Sequence, residues 1–215
     1  MNLSLPKKTG MTLLSFVLLA GCAEKKPVLL NVQFVPQSPY AVWDALHEEA
    51  CEEMSLLMVH HYLENTPLIQ ANAEDEVQEM IAFETKHRYG VNVSMKELGE
   101  IAGDYYGYEP RMLSDVTADA LRKELDLGNP VIVPIAARDL KNPHFEGTEP
   151  FYHVIIVIGY SEAGFIVNEP GTIQGEQYFY TEDVLMNALH DWTGKQQVIA
   201  TGPKNALVLE RLGSF

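Results

Sequence analysis

Cysteine is scarce in this chain: two among 215 residues, Cys22 and Cys51. Two thiols cannot make a disulfide framework that replaces a hydrophobic core, and the length suits one compact domain with ample apolar material to bury. Positive charge is scarce as well. Lys and Arg number 15 against 30 acidic residues, a formal net charge of −15, which excludes nucleic acid as a partner. There is no glycine-rich phosphate loop, no internal repeat and no low-complexity stretch. No long block of like charge occurs either, so the acidity reads as a solvated surface.

The N-terminal apolar run "MTLLSFVLLA", residues 11–20, is too short to span a bilayer. With Lys7 and Lys8 before it, it has the layout of an export segment. It passes into "LAGC", residues 19–22, which resembles the lipobox of bacterial lipoprotein signal peptides. The resemblance implies that residues 1–21 are removed and that Cys22 becomes the acylated first residue, holding the protein on the membrane of the cell envelope. Several acyl chains anchor far more firmly than one. Ala23 stands where a proteobacterial inner-membrane lipoprotein often has aspartate, so the outer membrane is implied in a cell that has one. Residues 22–30 read as a tether and 31–215 as the domain. Loss of the two lysines takes the net charge to −17. A lipidated Cys22 leaves Cys51 alone in an oxidising compartment, where an unpaired thiol is a liability unless buried or used.

Helical patterning dominates the first half. Met54, Leu57, Met58 and Tyr62 recur at helical spacing from about Cys51 to Glu64, after an extended "VLLNVQFV" and a proline-containing loop. A second helix is predicted over "EDEVQEMIAFETKHRY", a third from Ser94 with Glu97 as its capping-box partner, and a fourth over "TADALRKELDL" up to Gly128. Strand patterns follow: "PVIVPIAA", then "FYHVIIVIGYSEAGFIVNEP" as two strands joined by a tight turn, then "EQYFYT", "QVIAT" and "NALVLE", with a helix over Thr181–Trp192 among them. Helices first and antiparallel strands later predict an α+β fold.

Cys51 would open the first long helix. Unpaired N–H groups and the positive end of the helix dipole favour a thiolate there. Glu48, Glu49, Glu52 and Glu53 oppose it, so activation requires a cation, and an imidazole is the usual one. Of seven histidines, His47, His60, His61, His87, His144 and His190 lie in acidic, polar or mixed segments and read as solvated. His153 heads the apolar strand "HVIIVIGY". With a three-residue turn, Glu162–Gly164, Ser161 faces Phe165, Glu169 pairs with Val157, and Glu169 shares the face of His153. A two- or four-residue turn puts Asn168 on that face instead. Either can accept the ring N–H. His47 and Cys51, four residues apart, make at most half a zinc site, so no metal is expected.

The segments "ACEEMSLLM", "NPHF", "FYHVIIVIGY", "FIVNEPGT" and "DVLMNALHDW" resemble, in order, the bacterial C39-like peptidase domain of the papain-like cysteine peptidases, from about Val32 to the C-terminus. The resemblance implies a papain-like fold with the nucleophile helix packed on a C-terminal antiparallel sheet. It also implies Cys51 as nucleophile and His153 as base, with Glu169 as third member, because "NEPG" stands where the family has "NDPG"; Asn168 stays open for that role. Gln37 in "FVPQSP" matches the family's oxyanion-hole glutamine. The expected chemistry is hydrolysis of peptide or amide bonds through a thioester, with no cofactor, on a peptide or protein substrate, by a monomer. Two other readings stand beside it: a cell-wall amidohydrolase with the same residues, and a binding module that keeps the fold without catalysis.

Overall fold

The computed structural model describes Met1 and residues 26–145 and 150–213. The export segment and Cys22 lie outside the described residues. In chain order the elements are β1 (Val28–Leu29), α1 (Cys51–Glu64), α2 (Gln70–His87), α3 (Met95–Ile101), β2 (Tyr108–Leu113), α4 (Ala118–Asp126), β3 (Val131–Ala136), β4 (Tyr152–Ser161), β5 (Gly164–Asn168), β6 (Tyr178–Thr181), α5 (Glu182–Ala188) and β7 (Ala206–Arg211). The architecture is α+β: an antiparallel sheet in the order β2-β7-β3-β4-β5-β6, with β1 added on β4. No described helix is long and apolar enough to cross a membrane.

The sheet separates two cores. On one face Met54, Leu57 and Met58 of α1, Met80 of α2 and Leu98 of α3 pack on Ile132, Val154, Ile156 and Ile158. On the other, Leu121 and Leu125 of α4 and Leu185 of α5 pack on Val133, Ile155, Val157 and Phe165. β3 and β4 are buried along nearly their whole length, which explains why their sequences run apolar without alternation.

The helix boundaries follow local chemistry. α1 matches its expected span and ends at Asn65 in the left-handed conformation, φ 53°. Ser94 and Glu97 form the predicted capping box on α3, and Thr117 caps α4 by accepting from the Ala120 N–H at 3.2 Å. α2 begins earlier than expected, at Gln70. The helix predicted over Thr181–Trp192 stops at Ala188, because Leu189 turns into a bridge with Ile135. "QVIAT" is not a strand. Residues Gln196–Thr201 form a 3-10 turn in which the Thr201 hydroxyl donates to the Val198 carbonyl at 2.7 Å.

The register of the central hairpin also differs from the three-residue turn expected. Ser161 pairs with Gly164, leaving a two-residue turn, and Val157 faces Val167 rather than Glu169. Alone, that turn would bring Asn168 to the face of His153. A bulge between Val157 and Gly159 restores the parity. Ile156 then pairs with Asn168, and the next residue along, Glu169, falls on the side of Ile155 and His153.

Candidate active site

The strand bearing His153 outruns its neighbour. β5 ends opposite Ile156, so Tyr152 to Ile155 continue past it with that edge of their backbone open. The start of α1 fills the gap. The Ser55 hydroxyl donates to the Val154 carbonyl at 3.2 Å, and one turn earlier the sulfur of Cys51 accepts from the Val154 N–H. The thiol thus meets the sheet end-on, against the residue that follows His153. Cys51, His153 and Gln37 line one cleft of about 670 Å³, with Tyr152, Phe145 and Gly171 among its walls.

His153 is buried, and its Nε2 hydrogen-bonds the Glu169 carboxylate. Glu169, wholly buried, also accepts from the Gly171 N–H at 3.1 Å and the Tyr180 hydroxyl at 3.2 Å, and Tyr180 in turn accepts from Asn142 at 2.8 Å. Commitment of Nε2 to Glu169 leaves Nδ1 as the ring nitrogen available for chemistry in the cleft. Phe145 stands edge-on to the ring at 5.6 Å, and Gly171 passes so close that a Cβ there would lie 3.1 Å from Nε2. Asn168 does something else. Its Nδ2 donates to the Val32 carbonyl at 3.1 Å and its Oδ1 accepts from the Gln177 N–H at 3.2 Å, tying β5 to the N-terminal segment.

The loop that presents Glu169 closes tightly, with Glu169 N–H donating to the Gly175 carbonyl at 2.9 Å. A Cβ on Gly175 would lie 1.7 Å from the Glu169 carbonyl oxygen. Gly175→Ala is therefore expected to force this loop open, lowering the melting temperature by roughly 5 °C, in line with an overpacking cost of about 2 kcal/mol. Thermal unfolding followed by circular dichroism checks this; an unchanged midpoint would show that the loop yields freely.

The thiol is held in its neutral form. Burial first, then the negative charges of Glu52 and Glu53, push Cys51 well above the ordinary thiol range, and only the Val154 N–H acts the other way. The sulfur donates to Glu52 Oε2 at 2.8 Å. Glu52 is itself raised to about 8 by burial and by Glu53, while Oε1 accepts from the Val93 N–H at 3.3 Å. Gln37 lies in the cleft, but its Nε2 donates to the carbonyls of His47 at 2.8 Å and Glu48 at 3.1 Å, and its Oε1 is buried without a partner. In this conformation the side chain offers an oxyanion no N–H.

Sequence reasoning missed the burial of several charged groups. Glu52, Glu53 and Glu84 are enclosed rather than solvated. His47 is buried between Asp44 and Glu74, and His61 between Thr66 and Glu76. His47 is thus occupied by carboxylates and does not extend Cys51 into a zinc site. Glu52 and Glu53 follow the helix start directly where α1 is buried on every side, and that enclosure depends on α2 and α3, which local sequence does not reveal.

A buried thiol at a helix start, lining one cleft with an imidazole–carboxylate pair on an antiparallel sheet, defines the class of papain-type cysteine peptidase folds. The chain belongs to the Peptidase_C39 like family, whose model matches residues 29–198. A crystal structure described as that of a C39-like peptidase from Bacillus anthracis aligns with a TM-score of 0.56 at 15% identity, over 87% of this chain and 99% of that one. At that identity the likeness establishes the papain-type α+β fold. No curated protein matches the sequence.

Proposed function

We propose that this chain is a cysteine peptidase of the cell envelope, lipid-anchored through Cys22, that hydrolyses peptide or amide bonds through Cys51, His153 and Glu169. The observation that carries the reading is the pairing of His153 Nε2 with a buried Glu169 in the cleft that Cys51 lines. His153 Nδ1 takes the thiol proton as Cys51 Sγ bonds to the carbonyl carbon. The same imidazolium then protonates the leaving amine as the C–N bond breaks. Water, deprotonated by His153, cleaves the resulting thioester and returns the proton to sulfur. The oxyanion in both steps is served by the Cys51 N–H, among the first of α1 and so without a partner inside the helix. Gln37 joins it only after releasing the His47 and Glu48 carbonyls.

The cleft carries Glu48 and Glu49 and, among its described lining residues, neither Lys nor Arg. A substrate with free amino groups or basic side chains suits that charge, and this favours the cell-wall version of the reaction, since peptide stems that bear diamino acids have such groups. A non-catalytic module is favoured by one fact, the thiol donated to Glu52 rather than to His153. Incubating peptide and muropeptide libraries with the wild type and a Cys51→Ala variant separates the readings. Products made by the wild type alone support the peptidase; identical profiles would falsify it.

A further inference from the structure

We propose that the far end of α1 carries a structural zinc site formed by His60, His61 and Glu76, tying α1 to α2. Each of the three residues can place one donor atom so that all lie within 4.8 Å of one another. Nothing in the peptidase reading uses them. His60 is nine residues from Cys51, about 13 Å along the helix, so an ion there takes no part in bond cleavage.

The surroundings prepare both rings as ligands. The Tyr108 hydroxyl donates to Glu64 Oε1 at 3.0 Å and therefore accepts from His60 Nδ1–H at 2.9 Å, which leaves the lone pair on His60 Nε2. Thr66 Oγ1 lies 2.8 Å from His61 Nδ1 and can accept its proton, so that the Nε2 lone pair faces Glu76 Oε2 across 3.1 Å. In that tautomer a lone pair opposes a carboxylate, an arrangement that a cation shared by the two relieves. Ring nitrogens held from behind by hydroxyl oxygens match the outer shell that orients metal-bound histidines. Tyr106 stacks on His60 at a centroid distance of 3.9 Å and fixes the plane of that ring, and its buried hydroxyl has no partner.

Two imidazoles and one carboxylate suit zinc among the divalent ions, with a fourth position left for water. The alternative is a plain hydrogen bond from His61 Nε2–H to Glu76, with Thr66 donating to Nδ1. The two arrangements differ in which ring nitrogen of His61 carries its proton and in the ion itself.

The test uses tag-free, full-length, chelator-stripped protein in detergent, in a Cys51→Ala background so that the cleft thiol cannot hold metal. Zinc is titrated by calorimetry and cobalt(II) by visible absorption. One ion per chain is expected, with d–d bands of an N/O site and affinity weakened at least tenfold in both His60→Gln and Glu76→Gln. Glu76 is partly exposed, so its variant tests the site even if the His60 variant misfolds. Absence of binding, or unchanged affinity in the folded Glu76→Gln protein, overturns the proposal. Because the cleft thiol is already removed, neither outcome depends on whether the chain is a peptidase.

Discussion

His153→Ala is expected to reduce kcat/KM on any substrate found for the wild type by about 10³- to 10⁴-fold, the upper range for loss of a general acid–base. No other described histidine except His144 lines the cleft, and His144 lies edge-on to Tyr178, 5.7 Å between centroids. The thiol depends on the imidazole more than usual, because burial and two glutamates disfavour its ionisation. The third position is tested by three further variants. Glu169→Gln keeps an acceptor for His153 Nε2 and is expected to lose roughly tenfold, while Glu169→Ala frees the ring and loses about 10²-fold. Asn168→Ala should leave kcat/KM within a few-fold yet destabilise the fold by about 1 to 3 kcal/mol, the cost of stranding the buried Val32 carbonyl and losing the bond to the Gln177 N–H. Steady-state kinetics beside urea unfolding separate these cases. A large kinetic loss in Asn168→Ala with Glu169→Ala unaffected would reverse the assignment.

That assignment shows where the sequence was readable and where it was not. The span of α1, the cap at Ser94, the start of α4 and the strands β3 to β5 follow from periodicity and side-chain chemistry within a few residues, and these were legible. The relation of Glu169 to His153 depends on two irregularities that cancel, a two-residue turn and a bulge at Ile158. Parity counting assumes an unbroken ladder and supplied neither. β2 was not anticipated at all. Its "YEPRML" carries Pro110, which is tolerated because β2 is the edge strand and pairs only with β7. The position of Gln37 could be inferred by resemblance, but not its side-chain partners, which are carbonyls of a 3-10 turn ten residues away.

The departures gather around one feature, acidic residues where the chain turns into α1. In the fold they become a buried group: Glu52 beneath the thiol, and Glu53 hydrogen-bonded to Glu84 from α2. Burial there costs less if the carboxyls keep their protons. Thiol and carboxyls then favour the same state, in which Cys51 is protonated and Glu52 accepts from it. Departure of a proton to His153 is therefore coupled to the protonation of Glu52: a neutral Glu52 opposes the thiolate less than a charged one.

The same group sets an unusual dependence of stability on pH. Burial and neighbouring carboxylates raise Glu52 from 4.5 to about 8 and Glu84 to about 10, with Glu53 and Glu49 moved in the same direction. A carboxyl raised in the folded state binds its proton there after the unfolded chain has lost it, so stability is complete below pH 4.5 and falls as pH rises towards 8. Glu52 alone corresponds to roughly 4 kcal/mol across that window. Half-buried His60, lowered from 6.5 mainly by burial, acts in the opposite sense below that value and offsets part of it. Between pH 5 and pH 8 the melting temperature should therefore fall by about 10 °C, and Glu52→Gln, which holds no charge at either pH, should flatten the curve. Thermal unfolding of both proteins at matched ionic strength measures this. A wild-type midpoint that rises from pH 5 to 8 would mean that these carboxyls ionise in the folded state, and with that the neutral, Glu52-bonded thiol would lose its physical basis.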